Sequence, residues 1–279
     1  MANFGIFRGF GEKLFEGEIP INLGTIGSLI LGNLLDDYPN AAAAFSLRKL
    51  RTAYTGNAIR VRRSIDNIEQ DFGFMQGELD TSALLSFCST GNGFITVWYD
   101  QSGNGKNATQ ATLALQPKIV SGGVLLTSGS KPSMQYDNTG SNNLKFANII
   151  NPRSIFGVVQ VTQLSQYQGL PVSDDDFNDY HGGLDTYLLD NALTDTVQSG
   201  INKINGVTVN LRTKLRNLDR NLISIISAST NRVNQINQNR GSATRAQRGF
   251  ISEVLIYEND QTANRDGIES NINTFYSIY

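Results

Sequence analysis

Residues 94–110, FITVWYDQSGNGKNATQ, constrain the fold more than any other stretch of the chain. The first half alternates apolar and polar residues around Trp98, the only tryptophan, which predicts a strand with one buried face. The second half is a run of turn formers, because Asp and Asn bond their own backbone and glycine accepts positive φ. The stretch therefore predicts a core strand that ends in a tightly wound loop, with Asp100 held at the rim of a sheet.

Short strand-like segments continue after this loop, separated by turn residues at the spacing typical of a β-sandwich. The segments are PKIVS, GVLLT, PSMQY, SIFGVVQV, DTYLLD, INKINGVTVN, NLISIISAS and FISEVLIY. In INKINGVTVN, Asn205 and Gly206 stand between two alternating runs, which is a strong hairpin signal. We expect an all-β fold with a few short helices.

Three segments have the spacing and end signals of helices. AAAAFSLRKLRTAY follows Pro39 and places its apolar residues at helical intervals. TSALLSFC follows Asp80, whose side chain is a suitable N-cap. TANRDGIESNINTFY places Ile268, Ile272 and Phe275 on one helical face.

Composition excludes several classes of function. A formal net charge of −2 provides no basic field for nucleic acid, so we expect no nucleic-acid partner. No apolar run approaches the roughly 18 residues of a membrane span, and we expect no membrane partner. Cys88 and His181 are the only residues of their types, which argues against a disulfide, a zinc site or a histidine-based triad. No catalytic residue, resident metal or cofactor is predicted.

Two charged clusters are candidate sites that have simpler interpretations. The basic cluster, which could hold a phosphate or an acidic sugar, consists of Arg48, Lys49, Arg51, Arg60, Arg62 and Arg63. Asp66, Glu69 and Asp71 follow at once, which favours a solvated or locally paired surface. The acidic cluster, a candidate active site or calcium site, consists of Asp174, Asp175, Asp176, Asp179 and His181. Its spacing matches no known ligand pattern, which favours a solvated loop.

The first 35 residues differ from the rest, because they are rich in glycine and apolar side chains without any amphipathic period. Such a segment cannot form its own core, yet it is too apolar for an ordinary linker. We expect residues 1–35 to be an anchoring and oligomerisation arm and residues 36–279 to be the sandwich domain. The anchoring positions are Phe4, Phe7, Phe10, Leu14, Phe15, Ile19, Ile21 and Leu23. The alternative is a strand and loop packed on this chain's own domain.

Three segments together resemble a known family: AYTGNAIRVRR, FCSTGNGFITVWYDQSGNGKNATQ and QRGFISEVLIY followed by the terminal helix. They are similar to the catalytic β-sandwich of fungal-type α-L-arabinofuranosidase B. More loosely, they resemble laminin-G and concanavalin A-like domains, which often carry W-x-D-x-S-G-N-G. The resemblance spans residues 36–279 and implies a concanavalin A-like jelly-roll β-sandwich.

The catalytic carboxylates of the resembled family have no counterpart at the matching positions. Retaining glycoside hydrolysis usually needs two carboxyl groups about 5 Å apart. The family places its nucleophilic glutamate after a mid-chain strand, beside two adjacent cysteines, and its acid in a loop before the last strand. Here SIFGVVQV has no cysteine pair after it, no glutamate occurs between Glu78 and Glu253, and no aspartate between Asp219 and Asp260. The comparison therefore predicts a protein that is not an enzyme.

The leader FRGFGEKLFEGEIPINLGTIG resembles the anchoring segments of some virion proteins of tailed bacteriophages. This resemblance implies a structural virion protein, namely a head fibre, tail fibre or capsid decoration protein, made in the cytoplasm of a bacterial host. The expected partners are further copies of the chain in a homotrimer, other virion proteins, and host surface glycans. The alternatives are a glycosidase that uses carboxylates such as Asp176 and Asp185, or a free carbohydrate-binding module.

The outward rim of the sandwich is the candidate binding surface for a glycan or a calcium ion. It consists of Trp98, Tyr99, Asp100, Ser102 and Asn104. Aromatic rings stack on sugars, and the polar side chains bond sugar hydroxyls. For Asp100, the competing interpretation is an Asx-turn that ties the loop together.

Overall fold

The computed structural model describes residues 33–136, 142–164, 172–173, 187–189, 195–237 and 248–279. Contacts divide the chain into residues 1–31, which lie outside this described part, and a unit that spans Gly32–Tyr279. The predicted anchoring arm, with all eight of its apolar positions, therefore stays a prediction.

The described residues are mostly β-strand, with four short helices. The helices are α1 (Leu34–Asp37), α2 (Thr81–Cys88), α3 (Asp195–Gln198) and α4 (Arg265–Tyr276). The strands of the first half are β1 (Ala43–Ser46), β2 (Ile59–Arg63), β3 (Glu69–Phe72), β4 (Phe74–Met75), β5 (Glu78–Leu79), β6 (Gly93–Trp98), β7 (Ala108–Thr109), β8 (Lys118–Ser121), β9 (Val124–Leu125), β10 (Thr127–Ser128), β11 (Lys131–Pro132) and β12 (Met134–Tyr136). Those of the second half are β13 (Leu144–Ile150), β14 (Ser154–Val161), β15 (Val172–Ser173), β16 (Ile201–Ile204), β17 (Val207–Thr208), β18 (Arg220–Ile226), β19 (Val233–Ile236) and β20 (Gly249–Tyr257). No helix in this part of the chain is long and apolar enough to cross a membrane.

The strands form an antiparallel sandwich, so the predicted all-β fold with short helices is confirmed. One layer contains the neighbours β20, β14, β18, β16 and β17, with β1 and β12 sharing the other edge of β20. The facing layer contains β3, β2, β6, β7, β13, β19 and β15, and β8 connects β6 to β12. β20, near the end of the sequence, therefore pairs with β14 on one edge and with β1 and β12 on the other.

Aromatic rings join the two layers across the main core. Phe45 of β1 lies 5.7 Å from Trp98 of β6 and 5.4 Å from Phe146 of β13, measured between ring centroids. Trp98 is fully buried here, as the alternation of its strand predicted. Aromatic pairs at these separations stabilise a core beyond the area they bury.

A second apolar cluster lies on the opposite face of the β20 layer, under α1 and α4. It contains Phe156 of β14 and Leu255 of β20, covered by Ile268, Ile272 and Tyr276 of α4. Both faces of β14 and β20 are therefore buried, which explains why SIFGVVQV and FISEVLIY are almost continuously apolar rather than alternating.

The helix predicted over AAAAFSLRKLRTAY is wrong. The helix in this region is α1, which precedes Pro39, and Ala43–Ser46 form β1 on the edge of β20. All four residues of β1 are buried, because one face meets the main core and the other meets the α4 side. Apolar side chains on two faces resemble a helical pattern in the sequence, and the edge of β20 decides the conformation.

Three local predictions are confirmed. The Asp80 side chain accepts a hydrogen bond of 2.9 Å from the backbone N–H of Ala83 and caps α2. Asn205 and Gly206 adopt φ of 52° and 74° in the turn between β16 and β17, as a two-residue hairpin requires. Cys88 is a free, buried side chain, and burial raises the pKa of its thiol to about 11.

Candidate active site

The end of β14 and the start of β20 lie side by side. Val161 is paired with Gly249, and the backbone N–H of Thr162 donates a hydrogen bond of 2.9 Å to the carbonyl oxygen of Arg248. The segment after β14 and the segment before β20 therefore leave the sheet at the same end. These are the two segments in which the resembled family carries its carboxylates, so the register brings both positions together.

A small cavity of about 30 Å³, roughly the room of one water molecule, opens at this end of the layer. Its floor is apolar and consists of the ends of three adjacent strands: Val159 and Val161 of β14, Ile204 of β16 and Ile223 of β18. Its walls are Leu188, residues 214–217 and Asn221. The pocket thus combines an apolar floor with a rim of amide and cationic side chains.

Side-chain amides hold the rim in place. Gln160 of β14 donates a 3.0 Å hydrogen bond to the carbonyl oxygen of Leu218. Asn221 donates to the side-chain oxygen of Asn217 at 2.6 Å, and its own side-chain oxygen accepts from Asn205 at 3.1 Å. This chain of amides links the β16–β17 turn to the loop before β18 and fixes one wall relative to the floor.

Arg220, the first residue of β18, braces the same end against α4. Its guanidinium donates to the carbonyl oxygens of Ser128 and Tyr276. Burial lowers the pKa of Arg220 below its ordinary value, although the side chain remains a cation at neutral pH. The strand ends that form the pocket floor are therefore tied to the second apolar cluster.

Among the described residues that line this pocket, none carries a carboxyl group. The acidic cluster of the sequence, together with Asp185 and the predicted strand DTYLLD apart from its residues 187–189, falls outside the described residues. Within the described ranges, no group of three or more His, Cys, Asp or Glu side chains is placed to hold a metal ion. A carboxyl group at this end of the sheet therefore has to come from neighbouring segments.

Asp100 lies at the sheet rim and is almost completely buried. Its Oδ1 accepts from the backbone N–H groups of Ala44 and Ser102, both at 2.9 Å. Its Oδ2 accepts from the Ser102 hydroxyl at 2.7 Å and from the Lys106 N–H at 3.0 Å. These bonds include the Asx-turn to Ser102. Two donors on each oxygen also use the full acceptor capacity of the carboxylate.

The other predicted rim residues divide between the core and the surface. Trp98 points into the core, and the Tyr99 hydroxyl donates to Asp71 at 2.7 Å. Burial, followed by this carboxylate, raises the pKa of Tyr99 to about 12. Ser102 and Asn104 line an open groove. A glycan or calcium ion at this rim stays a prediction, and the geometry favours Ser102 and Asn104 as contact residues.

We expect Asp100→Ala to lower the free energy of unfolding by about 2–4 kcal/mol, because four donors lose their acceptor at once. Urea denaturation measures the change, and it should be equal in calcium and in EGTA because Asp100 has no acceptor site left for a cation. A stabilisation of the unmodified protein by calcium that disappears in Asp100→Ala would contradict this expectation.

The basic cluster is largely paired within the domain, as the following acidic residues predicted. Arg60 bonds Asp71 through both carboxylate oxygens, at 2.8 and 2.7 Å. Arg63 bonds Asp66 and holds the pKa of that carboxyl at about 2. Arg48 is buried against Glu253. These pairs leave little of the cluster to act as a phosphate site.

The pocket residues were not predicted from the sequence. The stretch LRTKLRNLD, which supplies residues 214–217, has the composition of a polar loop. Asn210, Asn217 and Asp219 are turn formers and indicate a loop. Nothing local, however, indicates that this loop packs beside the ends of β14 and β16, because that depends on strand order.

Comparison with known proteins shows which family part of the chain resembles. Residues 36–169 match the family model described as "Alpha-L-arabinofuranosidase B, catalytic". The chain carries an arabinofuranosidase B-like region. This part of the expected resemblance is confirmed, and it contains the stretch of residues 94–110.

The curated relatives are fungal enzymes. A probable α-L-arabinofuranosidase B of Aspergillus flavus is 34% identical over 105 residues, which is 34% of this chain and 21% of the relative. The α-L-arabinofuranosidase of Hypocrea jecorina is 35% identical over 91 residues, 30% of this chain and 18% of the relative. The matches therefore span only about a fifth of the length of these relatives.

Solved structures show the same fold over more of the chain. A GH54 α-L-arabinofuranosidase soaked with a cyclic sulfate inhibitor superposes with a TM-score of 0.56 at 14% identity, covering 88% of this chain and 65% of that one. An arabinofuranosidase complexed with arabinofuranosyl-α-1,2-xylobiose gives 0.53 with the same coverage. At this identity the likeness establishes the sandwich fold.

The interpretation as a non-enzymatic virion protein is wrong. The matches are to α-L-arabinofuranosidases, which are enzymes, and they overturn the predicted head-fibre, tail-fibre and capsid-decoration roles and the virion localisation. The leader resemblance was short and consisted mainly of glycine and apolar residues, a composition that many unrelated segments share. The lack of glutamate between Glu78 and Glu253 remains a property of the sequence, and it requires aspartates to supply any carboxyl groups there.

Proposed function

We propose that this chain is a glycoside hydrolase that releases α-L-arabinofuranosyl units from an oligosaccharide or polysaccharide. The observation that carries the proposal is the match of residues 36–169 to the family model described as "Alpha-L-arabinofuranosidase B, catalytic", within a sandwich fold that solved arabinofuranosidases share. The apolar pocket with an amide rim lies where β14 ends and β20 begins. The arabinofuranosidase names of the relatives support the choice of sugar.

The carboxyl groups must come from the segment after β14. The segment before β20, residues 227–248, contains no acidic residue, whereas residues 162–195 contain seven aspartates. Leu188 lines the pocket, and Asp190 follows it by two positions while Asp185 precedes it by three. An extended chain spans at most about 3.6 Å per residue, so two and three residues of chain reach at most about 7 and 11 Å from Leu188. Chain connectivity therefore favours Asp185 and Asp190. Asp176 is too far from Leu188 in the sequence for chain length to limit its distance from the pocket.

Hydrolysis divides between these two groups according to general glycosidase chemistry. One carboxylic acid protonates the leaving oxygen, while the other carboxylate attacks the anomeric carbon or activates a water molecule. Asn217 and Asn221 bond each other and Asp219, so they hold the loop before β18 in place beside the small cavity.

The test is hydrolysis of 4-nitrophenyl α-L-arabinofuranoside by the purified full-length chain. We expect measurable release of nitrophenol, and a loss of about 10³-fold or more in kcat for Asp185→Asn and for Asp190→Asn, because each removes an acid or base group. Asp266→Asn is the matched control, since Asp266 is exposed on α4 and bonds Lys203. Thermal melts confirm that each variant folds.

Two results would overturn the proposal or its assignment. Absence of hydrolysis by the folded, unmodified chain on aryl and polysaccharide substrates would reject the hydrolase function. Full activity in Asp185→Asn and Asp190→Asn, with loss of activity in Asp176→Asn, would reject the assignment of Asp185 and Asp190. The catalytic carboxyl groups would then belong to the acidic cluster.

A further inference from the structure

A polar groove crosses the surface beside the loop that follows β6. It consists of two depressions of about 430 and 390 Å³, each within the size range of small-molecule sites. The two depressions share Asn40, Ala41 and Asn104, so they lie side by side. The polar side chains of this groove are Asp36, Asn40, Arg51, Ser102, Asn104, Glu258 and Asn259.

The walls of the polar groove are held by bonds within the domain. Asn104 donates to the carbonyl oxygen of Ala41 at 3.0 Å, and Arg51 donates to that of Ser102 at 3.0 Å. Gly103 has a φ of 95°, and a Cβ there would lie 2.8 Å from the Arg51 guanidinium, so the glycine permits this close approach. Side chains fixed in this way lose little conformational entropy when they bind a ligand.

Each wall also presents polar atoms that no neighbour in the described part of the chain occupies. They are Oδ1 of Asn104, the side-chain amide of Asn40, Nη2 of Arg51 and Oε2 of Glu258. Both donors and acceptors are therefore available in the groove. A sugar hydroxyl, which both donates and accepts, matches such a surface.

The charge of the polar groove favours a neutral ligand. One guanidinium, Arg51, stands against the carboxylates Asp36 and Glu258, so no excess of positive charge is present to attract a phosphate or sulfate. We propose that the polar groove is a second carbohydrate site, which binds a neutral oligosaccharide chain along its length.

This site lies far from the candidate active site. The groove contains Glu258, which follows the last residue of β20, whereas the pocket lies at Gly249, where β20 begins. A nine-residue strand is about 27 Å long, so the two sites are at opposite ends of β20. A polysaccharide held in the groove would keep its further sugar units near the pocket. Only the idea that this polysaccharide is also the substrate rests on the proposed function.

Calorimetric titration of the full-length chain with xylohexaose and with cellohexaose tests the proposal. Neither probe contains arabinofuranose, so binding does not depend on hydrolysis at the other end of β20. The variant combines Asn40→Gly with Glu258→Ala. Glycine preserves the positive φ of 67° at residue 40, so the change removes the amide without straining the backbone. We expect binding of at least one probe, and about tenfold weaker binding by the variant because two hydrogen-bonding groups are lost.

Asn67→Gly is the matched control, because Asn67 also has a positive φ, 62°, and lies outside the polar groove. Unchanged binding by the control together with weakened binding by the variant supports the proposal. Failure of the unmodified chain to bind either probe, or equal binding by the variant, rejects the second site. Hydrolysis of the aryl arabinofuranoside is measured separately, so a failure of the groove and a failure of the hydrolase function give different results.

Discussion

Replacing Glu253 with glutamine is expected to lower the free energy of unfolding by about 3–5 kcal/mol, because it leaves a guanidinium buried without its counter-charge. Glu253 is on β20 and is fully buried, and Arg48 is 8% exposed. Arg48 donates to both carboxylate oxygens, at 2.8 and 2.9 Å. Burial alone would lower the pKa of Arg48, but Glu253 outweighs it and keeps that pKa above its ordinary value. Arginine stays protonated at neutral pH even where burial lowers its pKa, so the cation persists in the variant.

The surrounding bonds make the site sensitive to this isosteric change. The Ser46 hydroxyl donates to Glu253 at 2.7 Å, and the Tyr276 hydroxyl lies 3.3 Å from the same carboxylate oxygen. Arg48 also donates to the Asn271 side-chain oxygen at 2.8 Å. One carboxylate thus connects β1, β20 and α4, and an amide at this position would direct two N–H groups toward donors.

Glu78→Gln is the matched control, since Glu78 forms a partly exposed ion pair with Lys131 at 2.7 Å. Pairs of that kind contribute about 0–1 kcal/mol, so the same substitution should change stability little there. Urea denaturation of both variants measures the difference. Exchanging both partners, as Glu253→Leu with Arg48→Met, should recover much of the loss. Equal, small effects at residues 253 and 78 would show that the buried pair is not a main source of stability.

Gly249→Ala is expected to lower the free energy of unfolding by about 2–5 kcal/mol and to reduce hydrolysis, because strain and a steric clash combine at this residue. Gly249 has a φ of 151°, and a Cβ would lie 1.9 Å from the backbone oxygen of Gln160. Backbone atoms cannot rotate away as a side chain can, so β14 and β20 would have to separate. This separation would occur at the end of β14, from which the chain continues toward the proposed carboxylates.

Gly105→Ala provides the comparison for Gly249→Ala. Gly105 also has a positive φ, 68°, but a Cβ there would meet nothing within 4 Å. Backbone strain alone should then lower the free energy of unfolding, by about 1–2 kcal/mol, and activity should be unchanged. Denaturation and nitrophenol release are measured on both variants. An alanine at residue 249 that is no more damaging than one at residue 105 would contradict the role assigned to the β14–β20 contact.

The parts of the fold that depend on local chemistry were predictable from the sequence. The Asp80 cap, the hairpin at Asn205 and Gly206 and the burial of Trp98 all follow from interactions within a few residues. The conformation of Ala43–Ser46 was not predictable, because the edge of β20, some 200 residues later in the sequence, determines it. Tertiary pairing overrides a helix-like pattern at such a position.

The candidate site was predictable only in part. The resemblance located the two segments that carry the family's carboxylates, but not that Val161 and Gly249 are paired neighbours. The pocket floor requires the order of β14, β18 and β16, which no single stretch encodes. The function was misjudged because the missing glutamate was given more weight than the seven aspartates that follow β14.

The pairing of β20 with three earlier strands has a consequence for biosynthesis. Its three partners, β1, β12 and β14, all precede it in the chain. A ribosome that adds roughly 5–20 residues per second needs about 10–40 s to proceed from β1 to β20. During that interval β1 has no neighbouring strand to complete its ladder, and the emerging chain must avoid pairing with other nascent chains. The last strand to leave the ribosome is therefore the one that allows the β20 layer to close.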